Sequence, residues 1–309
     1  MKNLISHLAL YTKNESRRLF HGRGKIFPEF DYITLDFFKP YLLITFYRSP
    51  NSNTRDEITQ ALLKFFTCEQ DHLSLEAIIV QDRSQKMATA DIVWEKFPGR
   101  LKNGEDVVCE IEGAQFLINF FKNRNIGFFF DMQLLRQWLL EHSKDKKVLN
   151  LFSYTCALSI FSLMGGAREV HNYDMSRSAL NVGKKNHHLN GMGDGRARFF
   201  DHNILKSFGK IDRGGPYDLI ILDPPSDHGE HFNLESHYYK IVQRVLPCLN
   251  LNGILVTAVN SPHISLEFLL KIGELYSGKL LLQEQMFAPD HFLESDLKTG
   301  LKVLLWKKI

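Results

Sequence analysis

From residue 146 onward, short apolar runs alternate with segments whose apolar residues recur at helical spacing. The runs are 148–152, 169–173, 197–200, 217–222 and 253–259, and the first gives way to an apolar helix over 156–164. That rhythm predicts a parallel sheet with helices on both faces. Ser176 stands as N-cap before Ala179, Leu180 and Val182, and Asn190-Gly191 supplies the stop after Leu189. An apolar tail, 301–306, is expected to add an edge strand. The first third reads differently. Apolar runs at 41–47 and 77–80 flank an amphipathic stretch, 55–66, whose Ile58, Ala61, Leu62, Phe65 and Phe66 share one face. Strand, helix, strand predicts a small α+β domain. The polar stretch 81–104 carries the turn signals Pro98-Gly99 and Asn103-Gly104. After it, 106–111 and 115–120 form the strands of a hairpin around Glu112-Gly113-Ala114, Phe128-Phe129-Phe130 reads as a buried strand, and a helix begins near Asp131. The expected domains are 1–120 and 121–309, with no internal repeat.

Composition narrows this picture only a little. The 309 residues suffice for two ordinary domains, and the net charge of +3 permits an acidic partner without demanding one. The charge is uneven: among residues 1–30, Lys2, Lys13, Arg17, Arg18, Arg23 and Lys25 face only Glu15 and Glu29. Cys68, Cys109, Cys156 and Cys248 are widely separated, so neither a zinc knuckle nor a disulfide framework is expected, and no metal. No run reaches the ~18 apolar residues of a membrane span, and the expectation is a soluble cytoplasmic protein without a membrane partner.

The chemistry sits at the strand ends. Val148-Leu149-Asn150-Leu151 runs into Phe152-Ser153-Tyr154-Thr155 and a helix, which directs backbone N–H groups toward a ligand. The next run ends in Asp174, about 20 residues on, where an acidic side chain can accept from ribose hydroxyls. Asp201 and Asp223-Pro224-Pro225 end the following two. A nucleoside cofactor follows. The turn lacks G-x-G-x-x-G, and the chain lacks a P-loop, so a cofactor without a pyrophosphate is favoured. S-adenosylmethionine is one.

At this point the chain resembles a known family. Gly127-Phe128-Phe129-Phe130-Asp131, Leu149-Asn150-Leu151-Phe152-Ser153-Tyr154-Thr155, Gly165-Gly166-Ala167, Asp174-Met175-Ser176 and Asp223-Pro224-Pro225 are similar to the class I S-adenosylmethionine-dependent methyltransferases, in the branch that modifies cytosine or guanine of large-subunit ribosomal RNA. Arg18-Leu19-Phe20-His21-Gly22-Arg23-Gly24 resembles a segment found upstream in that branch. The resemblance implies a Rossmann-like, doubly wound α/β sheet behind the small α+β domain. It implies cofactor contacts from Asn150, Phe152, Ser153, Tyr154, Thr155, Asp174, Met175, Asp201, His202, Asp131 and Arg136. Asp223, Pro224 and Pro225 would face the methyl group and orient an acceptor nitrogen, since proline fixes φ and removes a donor. RNA would meet Arg17, Arg18, Phe20 and Arg23, where cations interleave with an aromatic ring.

Departures from the family pattern shape the chemistry. The stretch Thr257-Ala258-Val259-Asn260-Ser261-Pro262 has no cysteine, which argues against a C5-cytosine reaction. Ser226 replaces the aromatic residue that stacks on the base, leaving Phe232, Tyr238 or Tyr239 for that grip. Gln133 and Cys156 replace the family's Arg and Gly. Cys156 and Cys248 read as packed thiols, His187-His188 as an unsuitable metal pair, and His228, His231 and His237 as either a solvated or a substrate loop. The expectation is methylation of a base nitrogen of ribosomal RNA. A protein or small-molecule acceptor, and a catalytically silent cofactor-binding RNA-associated protein, stay open.

Overall fold

The apolar runs of the last two thirds become the strands of one sheet in the computed structural model of the chain, which describes residues 2–11, 13–48, 52–85, 87–225 and 233–309. Two compact units emerge, residues 1–130 with 290–295 and residues 131–289 with 296–309.

In the first unit, α1 (Lys2–Tyr11) precedes β1 (Arg17–His21), β2 (Ile33–Phe38) and β3 (Tyr41–Phe46). Then follow α2 (Ser52–Cys68), α3 (Gln70–Leu73), β4 (Ala77–Asp82), β5 (Thr89–Glu95), β6 (Val107–Ile111) and β7 (Ala114–Ile118). Strands β1 to β5 form a five-stranded sheet in chain order, with β3 and β4 parallel across the α2–α3 crossover and the other pairs antiparallel. Its core gathers Phe20, Phe37, Phe46, Leu62 and Phe66. The segment Arg17–His21, whose charge alone would suggest a solvated stretch, is thus a strand. It pairs with β2, and the Arg18 guanidinium finds the Asp36 carboxylate there at 2.7 and 2.9 Å. β5 escapes the sequence reading because only alternate residues are half-buried, as on a sheet edge. β6 and β7 form the hairpin, with Glu112 and Gly113 both at positive φ in its tight turn. Phe128-Phe129-Phe130 is not a strand. Gly127 at φ 121° turns the chain, and Phe128 and Phe130 bury their rings while Phe129 stays exposed.

The second unit holds α4 (Gln133–His142), β8 (Lys147–Leu151), α5 (Ala157–Met164), β9 (Glu169–Asp174), α6 (Arg177–Leu189) and β10 (Ala197–Asp201). It continues with α7 (Phe208–Gly214), β11 (Tyr217–Leu222), α8 (Leu234–Val245), β12 (Leu249–Asn260), α9 (Leu266–Leu275), β13 (Leu280–Phe287) and β14 (Leu301–Lys308). The sheet order is β10-β9-β8-β11-β12-β14-β13, parallel from β10 to β12 and antiparallel at β14 and β13. β8 and β11 lie in the middle, covered on both faces, which is why they read as unbroken apolar runs. The expected edge strand at 301–306 is instead interior, since β13 pairs outside it. β13 went unseen because most of its residues are exposed and polar and apolar residues do not alternate cleanly. The order reverses direction between β8 and β11, so their carboxyl ends open a crevice where ligands of such sheets bind.

Candidate active site

The first turn is held by its backbone. Phe152, Tyr154 and Cys156 all take left-handed conformations, at φ 59°, 48° and 64°. Each costs about 1–3 kcal/mol in a non-glycine residue and persists only where neighbours over-determine it. They do so here. Ser153 N donates to Tyr173 O at 3.1 Å, Tyr154 N to Asp174 Oδ2 at 2.8 Å and Cys156 N to Ser153 O at 2.7 Å, while Asn186 Nδ2 donates to Thr155 O at 3.2 Å. The Cys156 thiol packs against Gly183 of α6, where an added Cβ would lie 2.6 Å from the sulfur. Burial pushes that thiol up to about 12, so it is no thiolate nucleophile at neutral pH.

Asp174 ends β9, half-buried, and braces the turn. Its two oxygens accept from Ser176 N at 2.7 Å and Tyr154 N at 2.8 Å, and burial raises its pKa against the lowering effect of those bonds. Met175 beside it is half exposed, and Asp201 at the end of β10 lies in register with Asp174. His202 follows, its Nε2 2.6 Å from Lys210 Nζ. The set fits a nucleoside: carboxylates for hydroxyls and an exposed thioether for a flat ring face.

Across the crevice, Asp223 ends β11. Burial, reinforced by the negative charge of Asp131, pushes its carboxyl up to about 7. Asn260, at the end of β12, donates its amide to Asp131 Oδ2, while Asp131 Oδ1 is buried with no hydrogen-bond partner. Two acidic residues and an amide thus meet, from positions 131, 223 and 260. Asn260 was not among the sequence candidates, and its place right after an apolar strand was the one available signal. Pro224 is buried and Pro225 exposed. Ser226, His228, His231 and Phe232 lie outside the described residues.

Other expected site residues are placed differently. Asn150 is buried within β8, its amide donating to Asn172 Oδ1 at 3.0 Å, so its side chain supports the turn from below instead of meeting a ligand. Arg136 is buried in α4, its guanidinium 5.6 Å from the Phe161 ring. Phe20 is in the first unit's core and offers no face to RNA. Arg18 is committed to Asp36 and lies 4.8 Å from the Phe292 ring, and Arg17 is paired with Glu15 at 3.0 Å. Tyr238 and Tyr239 cannot grip a base by stacking from where they stand. Tyr238 is in the core with its hydroxyl donating to Ala258 O at 3.2 Å, and Tyr239 donates to Phe268 O at 2.7 Å. His187 is buried and bonded to Ser159 and Gly183, and among the described residues no group of metal-ligating side chains converges. No helix among them is long and apolar enough to cross a membrane.

Residues 17–307 match the family of S-adenosylmethionine-dependent methyltransferases. A ribosomal RNA large subunit methyltransferase K/L of Pseudoalteromonas translucida is 30% identical over 241 residues, covering 75% of this chain and 33% of the relative. A ribosomal RNA large subunit methyltransferase I of Tolumonas auensis is 28% identical over 307 residues, covering 96% of this chain and 74% of the relative. The chain spans between a third and a half of the first curated relatives it matches, 33% and 48%. Among solved structures, a candidate S-adenosylmethionine-dependent methyltransferase from Streptococcus mutans superposes with a TM-score of 0.84 at 22% identity, covering 99% of this chain and 81% of that one. That likeness carries the fold.

Proposed function

Because the chain belongs to the S-adenosylmethionine-dependent methyltransferase family, we propose that it methylates a base nitrogen of large-subunit ribosomal RNA. The names of its relatives support the acceptor class, and Asp223 is the observation that carries the nitrogen. Bound at the crevice, the cofactor supplies a methyl group activated on a sulfonium. The chain's own work is alignment and proton handling. Phe152 to Thr155 hold the methionine end, Asp174 accepts from the ribose hydroxyls, and Met175, Asp201 and His202 line the adenine. Asp131, which the resemblance puts among the cofactor contacts, is assigned instead to the acceptor end, where it adds to the rise of the Asp223 carboxyl and anchors Asn260.

A ring or exocyclic nitrogen loses a proton as it becomes methylated, and a base works best with a pKa near the working pH. The Asp223 carboxyl, raised to about 7, meets that demand. Pro224 and Pro225 carry no backbone donor, leaving nearby carbonyls to accept from the substrate's N–H. No thiol stands at 257–262 to attack a pyrimidine ring. In the first unit, Arg23, exposed in the turn after β1, is assigned to RNA.

The test is transfer of tritiated methyl from S-adenosylmethionine to ribosomal RNA from cells lacking this gene, with the modified nucleoside identified by mass spectrometry. A base N-methyl product supports the proposal. Label confined to protein or small molecules would move the acceptor class, and cofactor binding without any transfer would leave a silent binding protein.

A further inference from the structure

One end of the five-stranded sheet carries more guanidinium charge than its carboxylates balance. β3 and β4 finish there side by side, Phe46 opposite Asp82, and are followed by Tyr47-Arg48 and by Arg83. Arg23, in the helical turn after β1, reaches the same place. Its guanidinium lies 4.5 Å from the centre of the Tyr47 ring, and that of Arg83 lies 5.5 Å away. Arg124 approaches from 120–126, donating Nη2 to Arg83 O at 3.4 Å.

The neighbouring arginines are balanced. Arg48 pairs with Asp31 at 2.7 Å, Arg55 with Asp82 at 2.6 Å, and Arg18 makes two bonds to Asp36. Arg83 donates Nε to the neutral Gln81 side chain. Among the described residues neither Arg23 nor Arg83 has a carboxylate partner. Tyr47 reports the resulting field: burial should raise its hydroxyl, yet Arg18, Arg83 and Arg23 together bring it below its ordinary value. His291, packed nearby, is held down to about 4 by burial and by the charges of Arg17 and Arg18. Arg83 is half-buried and feels Asp36, whose two oxygens are already taken by Arg18, while Arg23 is exposed. Both keep their charge, because arginine does not deprotonate in proteins, and an anion from outside the fold can meet them.

We propose that the Arg23–Tyr47–Arg83 end of this sheet is a subsite for a backbone phosphodiester of the RNA acceptor, an inference that rests on the RNA reading above. Guanidinium forks match phosphate oxygens in pairs. The Tyr47 ring lies within 4.5 and 5.5 Å of the two forks and so keeps them close to one another. Such a subsite positions the RNA and reads no sequence.

The experiment measures binding of an rRNA fragment to the full chain by fluorescence anisotropy across a salt series, for wild type, Arg23→Ala, Arg83→Ala, Arg23→Lys and Arg48→Ala. Each of the first two variants should bind about tenfold more weakly, the scale of one lost charge-assisted contact. The log–log salt slope should drop by about 0.7–0.9 per lost phosphate. Arg23→Lys should keep the slope, and Arg48→Ala, whose charge Asp31 balances, should stay close to wild type. Cofactor affinity by calorimetry should not move in any of them. Unchanged RNA affinity and slope in both alanine variants, or an equal loss in Arg48→Ala, overturns the subsite. Saturable wild-type binding of a free nucleoside monophosphate, lost in the same variants, would make it a mononucleotide pocket and overturn the RNA assignment. If wild type methylates the RNA while the variants match it, the subsite alone falls; if wild type neither binds nor methylates RNA, both readings fall.

Discussion

The two sides of the crevice are built on opposite principles. At the first turn, the left-handed backbone of Phe152, Tyr154 and Cys156 is braced by hydrogen bonds to Tyr173, Asp174 and Ser153 and from Asn186, with no second carboxylate pressing on Asp174. At the corner of Asp223, Asp131 and Asn260, the backbone is ordinary but the charge is not, since burial, with the Asp131 charge added, pushes the Asp223 carboxyl up to about 7. The lesson is a division of labour. On the proposed reading, strain in geometry fixes a ligand's position, whereas a raised carboxyl holds a proton acceptor ready.

The sharpest way to break that contrast is Asp223→Asn. Transfer should fall by about 10²–10⁴, the usual worth of a general base, while the protein becomes more stable. The folded pKa of Asp223 is raised to about 7, so its contribution to stability is complete below about pH 4 and is lost as pH rises through 7. Thermal melts of the variant and wild type should therefore coincide near pH 4 and separate, with the variant higher, at pH 8. Equal melting at pH 8 would remove the charge strain from the account.

Next comes Asp174→Ala, which removes the turn brace and the proposed ligand contact together. Cofactor affinity should weaken by about 1–3 kcal/mol, measured by calorimetry, and the loss should be nearly independent of pH between 6 and 9. A loss confined to one end of that range would mean that the turn, too, works through charge.

Asp131→Asn sharpens the comparison more gently. Removing the neighbouring negative charge lowers the Asp223 pKa, so the rise of kcat with pH should move below 7. A pH–rate profile that stays in place would assign the raised carboxyl to burial alone. The smallest effect concerns the turn's packing. Gly183→Ala should cost about 1–3 kcal/mol by overpacking against Cys156, and much of that should return in the double variant with Cys156→Gly, where glycine also relaxes the left-handed angle. Denaturant midpoints in this cycle test whether the sulfur is the obstacle.

How much of this was legible beforehand depends on how local the signal is. The central strands were, because burial on both faces writes itself as an apolar run, and so was the α6 cap, where Ser176 accepts from Ala179 N at 3.2 Å. Asp174 could be placed by counting residues past the first turn, but its bond to Tyr154 could not. The pairing of Asp131 with Asn260 joins residues far apart in the chain, and no periodicity announces it. Edge strands β5 and β13 lack the full burial that makes a pattern. Arg17–His21 gives no strand signal, since its charges suggest solvent until Asp36 is seen across the strand pair.

The braced turn has an effect on turnover. If Phe152 to Thr155 and Asp174 hold the cofactor as proposed, their contacts are to parts of the molecule that do not change when its methyl leaves. The spent form should then cling as firmly as the fresh one, because grip that is equal before and after reaction does nothing to hasten departure. Such an enzyme should be throttled by its own by-product, S-adenosylhomocysteine, and in the cell its pace would follow how quickly that by-product is cleared.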